Sequence, residues 1–267
     1  MKSILNDKKI IILATEGEST NILYNSLKDI FNINYVIIEE RVEAIKFIKQ
    51  RFKRVGFLRL IDQILFFLIL NKILISTSKK RRSEILQEND LNENNIDKEK
   101  ITRVNSANSI ESINLIKNLA PDIVIVNGTR ILSKKILTST NTIFINIHAG
   151  ITPNYRGVHG AYWAYVKNQP NLAGVSLHYV DTGVDTGKII GQALIKSTAF
   201  DNFSTYPLLQ LSEGIIVIKQ FLNNLITNCT TNFSIISINS NSNSNSKQWY
   251  HPGFFEYLYY RIIYKVK

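Results

Sequence analysis

Apolar and polar positions along the chain fall into two alternating rhythms. "KKIIILAT" (Lys8–Thr15) is a continuous apolar run, the pattern of a parallel strand buried on both faces. After Gly17, the residues Ile22, Leu23, Leu27, Ile30 and Phe31 recur at helical spacing, with Ser19 or Thr20 as the expected N-cap. "INYVIIEE" reads as the next strand, so the chain opens as a βαβ unit. Further on, "SIESINLIKNLA" predicts a helix that ends before Pro121, "DIVIVNGT" a strand, "LSKKILTS" a short helix and "NTIFINIHAG" a strand. "HGAYWAYVKN" then predicts a helix, "AGVSLHYV" and "GKIIGQALI" strands, and Tyr206–Ile226 a long helix. Strands alternating with helices predict an α/β fold, a doubly wound and mainly parallel sheet over residues 1–226, with 227–267 as a short C-terminal extension.

Four stretches depart from this rhythm. "GFLRLIDQILFFLILNKILI" (Gly56–Ile75) is apolar, but Arg59, Asp62, Gln63, Asn71 and Lys72 interrupt it. Only Ile64–Leu70 is unbroken, well short of the roughly 20 apolar residues a bilayer crossing needs, so a buried helix is expected. Leu86–Lys100, "LQENDLNENNIDKEK", is polar and Asn-rich and predicts an exposed loop. "NSNSNSNSKQ" (Asn239–Gln248) is low-complexity and predicts a mobile linker. The aromatic, basic tail "WYHPGFFEYLYYRIIYKVK" is expected to dock back on the domain.

Composition narrows the class. A single cysteine, Cys229, excludes an intramolecular disulfide and any cysteine-built metal cluster; a reducing, cytoplasmic setting and no metal cofactor are expected. The N-terminal segment lacks the apolar run and cleavage site of a secretory signal. Net charge is +11, and the helical segment Arg41–Arg82 holds twelve Lys or Arg against Glu43 and Asp62. Such a block suits an anionic partner: a nucleotide, a phosphorylated sugar, or an anionic lipid surface contacted peripherally. A solvated helix face that binds nothing is the plain alternative. No recognition motif accompanies the charge, so nucleic acid is not expected as a partner.

Chemistry gathers in "FINIHAGITPNYRGVHGAYWA" (Phe144–Ala164). Side chains alternate across a strand, so Phe144, Asn146 and His148 share one face, and the last two lie at its carboxyl end, where open α/β sheets bind ligands. An amide and an imidazole there form a donor pair able to stabilise a developing oxyanion. Two satisfied polar groups at a strand end would read the same way. Downstream, "GVSLHYVDTGVDTGKIIGQ" carries two acidic turns, at Asp181 and Asp185. A carboxylate there can orient His148, favour its protonated form and move a proton.

N-x-H, the "PNYRG" loop (Pro153–Gly157), His178 and "GVDTGKII" (Gly183–Ile190), in this order, resemble the formyltetrahydrofolate-dependent formyltransferases. That family includes glycinamide ribonucleotide formyltransferase, methionyl-tRNA formyltransferase and the sugar N-formyltransferases. The resemblance implies a Rossmann-like formyltransferase fold, formyltetrahydrofolate as formyl donor, and Asn146, His148 and Asp185 as catalytic residues. It places Thr129, Arg130, Ile131 and Leu132 along the pterin pocket, largely through their backbone. The turn Asp181, Thr182, Gly183 and Val184 is expected to cover its other side.

Departures from the family bear on the acceptor. Where the purine enzyme has a small Gly-rich phosphate loop, this chain has Glu16-Gly17-Glu18. The tRNA enzyme's Leu-Leu-Pro loop is replaced by "GITP", and its continuation by "GVHGAYWA". Motif style resembles the stand-alone sugar N-formyltransferases of polysaccharide biosynthesis, which implies a nucleotide-linked amino sugar as acceptor. Tyr155, Arg156, His159 and Trp163 are the candidate acceptor contacts, although packing against core or tail explains the aromatics equally well. Glycinamide ribonucleotide and methionyl-tRNA remain alternative acceptors. A formyltetrahydrofolate hydrolase and a non-catalytic membrane-surface binding protein are the alternatives outside the class, and a homodimer enters by analogy alone.

Overall fold

The computed structural model describes residues 8–42, 44–227 and 246–267, without the side chains of 44–47 and 50. Cys229 and most of the Asn/Ser-rich stretch lie outside these residues. The elements run β1 (Ile10–Thr15), α1 (Glu18–Leu27), β2 (Ile33–Glu39), α2 (Ala44–Val55), α3 (Phe57–Leu65), α4 (Asn71–Thr77), α5 (Lys79–Glu88), β3 (Ile101–Val104), α6 (Ile110–Leu119) and β4 (Ile123–Asn127). There follow α7 (Lys134–Leu137), β5 (Ile143–His148), β6 (Arg156–Gly157), α8 (Gly160–Val166), β7 (Gly174–Tyr179), β8 (Ile189–Leu194), α9 (Tyr206–Thr227), β9 (Gln248–Trp249) and α10 (Phe254–Ile263).

Seven strands form one sheet in the order β3-β2-β1-β4-β5-β7-β8. The first five are parallel, and β7 runs antiparallel to both of its neighbours, β5 and β8. The sheet is thus doubly wound and mainly parallel, with its order reversing between β1 and β4. Each face has its own core, as expected for strands that are apolar on both sides. Ile10, Ile12, Ile125 and Ile145 point to the larger one, which α1, α8 and α9 cover. Ile11, Leu13, Val124 and Phe144 point to the smaller one, beneath α6 and α7.

Three expectations need correction. Helix α1 starts before its expected caps: the Gly17 carbonyl accepts from the Thr20 and Asn21 amides, and the Thr20 hydroxyl turns back to the Thr15 carbonyl. The segment Leu86–Lys100 is exposed along most of its length, as expected, but only part of it is loop and it is pinned to the domain. Its first residues complete α5, Leu91 and Ile96 are buried, and Asn25 Nδ2 donates to the carbonyls of Asn92 and Asn94. The third concerns Gly56–Ile75. It is helical, with a π-helical turn at Phe66–Leu70 joining α3 to α4, but it is not a buried helix. Only Leu60, Gln63, Phe66 and Leu74 are buried, and most of its other apolar side chains face solvent.

The tail packs back on the domain. Residues Gln248–Trp249 pair with Arg156–Gly157 as a two-residue parallel ladder, and Tyr257 of α10 is buried against Phe66 and Tyr162.

Candidate active site

Strand register assembles the site. Antiparallel pairing sets Asn146 of β5 opposite His178 of β7, and His148 opposite Ser176. The polar side chains at the carboxyl end of β5 therefore meet a second histidine across the ladder. The Tyr179 carbonyl can only accept, so His178 Nδ1, 2.8 Å away, carries the hydrogen. His178 Nε2 is then an acceptor and takes a hydrogen bond from Asn146 Nδ2 at 3.2 Å. One of the two Asn146 amide hydrogens is used in this way and the other is left over.

His148 is buried at the strand end between two acceptors. Its Nε2 donates to the Tyr155 carbonyl at 2.7 Å, and its Nδ1 lies 3.3 Å from Asp185 Oδ1. Only the imidazolium donates to both. Burial nevertheless dominates and holds the His148 pKa below its ordinary value, while Asp185 and the Tyr155 carbonyl pull it up and His178 pulls it down. At Asp185, burial raises the pKa. The neighbouring His178 ring, the His148 charge and the Gly157 amide (2.9 Å to Oδ2) together outweigh it, so the carboxyl titrates below its usual range. A proton between these groups belongs to the pair rather than to either residue. Asp185 holds a left-handed backbone (φ 52°), a conformation that costs a non-glycine residue about 1–3 kcal/mol and concentrates at functional sites.

The loop after β5 is fixed from beneath. Ser176 Oγ donates to the Gly150 carbonyl and accepts from the Thr152 amide and from Gln192 Nε2. Tyr155 N–H bonds the Ile151 carbonyl, and the Tyr155 ring stacks on Trp249 with centroids 5.6 Å apart. The carbonyl that binds His148 therefore sits on a part of the chain with little freedom.

The expected acceptor contacts divide. Tyr155, His159 and Trp163 do not line an open surface: the tail covers them. Trp163 stacks on Trp249 and donates to the Tyr250 carbonyl, and His159 Nε2 lies 2.7 Å from His251 Nδ1. Tyr155 and Trp163 are buried, and His159 is half-buried. Arg156 differs. Its Nη1 donates to the Val184 carbonyl at 3.3 Å beside Asp185, while its Nε is buried without a hydrogen-bond partner.

The stretch expected to line the pterin pocket is held rigidly. Glu39, a buried carboxylate at the end of β2, accepts from the Arg130 and Ala107 amides at 2.9 and 2.7 Å. Asn108 Nδ2 binds the Ile131 carbonyl, and Thr129 Oγ1 bonds the Arg130 carbonyl. Leu132 is buried in the smaller core, which leaves the exposed Ile131 side chain as an apolar contact. On the facing turn, Asp181 accepts from the Gly183 amide and from the Thr186 hydroxyl, so it shapes the turn; Thr182 and Gly183 are exposed and Val184 is half-buried. Sequence reasoning gave no role to His178 or Glu39. The signals were present: His178 lies in a strand, two residues from the next turn, and Glu39 is a charge ending an apolar strand.

A separate cleft is lined by Glu18, Ser19, Ser78, Arg82, Thr205 and Leu211. The two glutamates that follow β1 are both paired with arginines. Arg103 binds both Glu16 oxygens, at 2.7 and 3.1 Å, and that contact holds the exposed Glu16 carboxyl below its ordinary pKa. Arg82 pairs with Glu18 and Glu93.

Over residues 70–207, just over half its length, the chain matches the formyl transferase family. Methionyl-tRNA formyltransferase of Clostridium acetobutylicum is 38% identical over 84 residues, 31% of this chain and only 27% of that relative. Phosphoribosylglycinamide formyltransferase from Anaplasma phagocytophilum superposes with a TM-score of 0.53 at 19% identity, covering 83% of this chain and 88% of that one. A sugar N-formyltransferase from Shewanella sp. superposes with a TM-score of 0.50 at 13% identity, covering 83% and 70%. At these identities the two structural likenesses show a shared fold.

Proposed function

The chain belongs to the formyl transferase family, and we propose that it moves a formyl group from formyltetrahydrofolate to a primary amine on a nucleotide-linked amino sugar. The observation that carries the chemistry is the cluster of Asn146, His148, His178 and Asp185 at the carboxyl end of β5.

In this mechanism the acceptor amine attacks the formyl carbon. A new C–N bond forms, and the formyl oxygen becomes an oxyanion. The amide hydrogen of Asn146 not used by His178 donates to it, and His148, held by Asp185 and the Tyr155 carbonyl, supports it electrostatically without giving up a proton. Asp185 takes the proton lost by the attacking amine. As the bond to the folate nitrogen breaks, that proton passes to the leaving nitrogen, so the enzyme ends as it began. Arg156 brings its unpaired Nε–H to the wall beside Asp185, where a substrate carbonyl or phosphate oxygen satisfies it. Ile131 and the Asp181–Val184 turn are the proposed contacts of the pterin.

The sugar reading rests on the loop after β1. Two carboxylates, Glu16 and Glu18, stand where a phosphate loop would need donors, which disfavours glycinamide ribonucleotide. The sequence relatives favour a second acceptor, the α-amino group of a methionyl-tRNA. An end-point reaction tests both. Purified protein is mixed with formyltetrahydrofolate and, separately, nucleotide-linked amino sugars, glycinamide ribonucleotide, methionyl-tRNA or no acceptor, and products are weighed by mass spectrometry. A sugar nucleotide that gains one formyl group is the expected result. Formylation of the tRNA alone would replace the acceptor, and free formate without acceptor would replace transfer by hydrolysis.

A further inference from the structure

The helical run from Phe57 to Thr77 has no polar stripe. Leu60, Phe66 and Leu74 face inward, Phe66 onto Phe203 and Tyr257. The opposite side, which water-facing helices fill with charge, carries Leu58, Ile61, Leu68, Ile69 and Ile73. Leu58 is 81% exposed and Leu68 56%. Helix α10 packs beside α3 and extends this surface. Its Phe255, 68% exposed, shares a shallow cleft with Leu58, Ile61 and Leu65, and Tyr259 and Ile262 follow on the same face of α10. Exposed apolar surface of this extent marks an interaction site.

We propose that this face seats the protein on an anionic lipid surface. The apolar side chains enter the boundary between headgroups and acyl chains, and the surrounding cations meet the lipid phosphates. Charge complementarity selects this occupant. Lys53 and Arg54 close α2 just before Phe57, Lys72 stands on the outward stripe between Ile69 and Ile73, and Lys79 and Lys80 open α5. All five are exposed, and among the described residues none has an acidic partner. Arg59, by contrast, is bound to Glu256. A second copy docked on this face through a two-fold contact would set the same cations against themselves. Among the described residues no helix is long and apolar enough to cross a membrane, which fits an element lying in the interface plane.

Flotation of the full chain with vesicles tests the proposal independently of catalysis. Two compositions are compared, phosphatidylcholine alone and phosphatidylcholine with about one third phosphatidylglycerol, at low and high salt. Partition to the anionic vesicles is expected to exceed that to neutral ones by about tenfold and to weaken with salt, because surface charge is screened within a Debye length. The pairs Leu68→Ser/Phe255→Ser and Lys53→Glu/Lys72→Glu are each expected to lower partition at least about fivefold with unfolding temperature unchanged, since all four side chains lie on the surface. Equal partition to both vesicle types, or variants that float like the parent, would overturn the proposal. So would a dimer in sedimentation that Leu68→Ser dissociates while nothing floats; that outcome assigns the face to a second copy.

Discussion

Gly150→Ala separates the candidate site from its scaffold more sharply than removal of any of the proposed catalytic side chains. The backbone at Gly150 is not left-handed, so alanine adds no conformational strain there. It adds contact: a Cβ at this position would lie 2.2 Å from the Tyr155 carbonyl oxygen and 2.7 Å from His148 Nε2. Ordinary carbon–oxygen contact needs about 1 Å more than the shorter of these, so the carbonyl must move by about that distance. It has little slack. Tyr155 is anchored by its amide to Ile151 and by its buried ring to Trp249, so the 2.7 Å bond to His148 is the contact that gives way. Overpacking costs about 1–3 kcal/mol, and an orphaned donor on a buried histidine about the same again. Displacing His148 by about 1 Å is expected to slow turnover by about 100-fold, because alignment of reacting groups is lost. The assay pairs folate-release kinetics with thermal unfolding, and Gly17→Ala is the control. Gly17 has an extended backbone and nothing within 4 Å of a new Cβ, so its variant should match the parent in both measurements. Gly150→Ala turnover within a factor of about two of the parent would refute the claim that the Tyr155 carbonyl positions His148.

Asn146→Ala removes the proposed oxyanion donor and is expected to lower kcat by about 10²–10³ with little change in KM, read from steady-state kinetics on the acceptor that proves active. Acid should weaken the fold through its buried histidines. Burial pushes the His251 pKa down to about 4, so its neutral form contributes of the order of 3 kcal/mol above pH 6.5, lost as the pH falls toward 4. His251→Asn is expected to flatten that limb of the denaturant-derived stability profile; an unchanged slope between pH 6.5 and 4 would count against the assignment. Trp249→Ala deletes the ring between Tyr155 and Trp163 and should cost about 3–5 kcal/mol in urea unfolding, with a fall in turnover because the same strand pairs with Arg156–Gly157.

The βα rhythm was legible because buried parallel strands are apolar on both faces and amphipathic helices between them keep a single period. Asn146 and His148 stood out for the same reason, as polar residues closing an apolar strand. What the sequence could not convey was what covers each surface. Gly56–Ile75 is apolar on both sides, and periodicity cannot tell which of two apolar stripes is covered and which is bare. Tyr155, His159 and Trp163 look like binding aromatics until residues from Trp249 to Tyr257 fold over them, a contact made across a long stretch of chain. The four-residue β3 was missed because Thr102 and Arg103 break its apolar pattern. The polar segment before it is anchored by side chains of Asn25 and Asn21, and such hydrogen bonds leave no periodic trace.

The ladder between Arg156–Gly157 and Gln248–Trp249 also has a consequence in time. Chains fold as they are made, from the N-terminus onward. The sheet and its nearby helices can form as each strand leaves the ribosome, yet His159 must wait for His251, 92 positions later, and Tyr155 for the ring of Trp249. Until that late segment arrives, the loop that carries the His148 partner has lost its roof. A nascent chain would therefore hold Asn146, His148 and Asp185 before it holds their geometry, so turnover should appear abruptly once Gln248–Tyr257 is free to fold rather than grow with length.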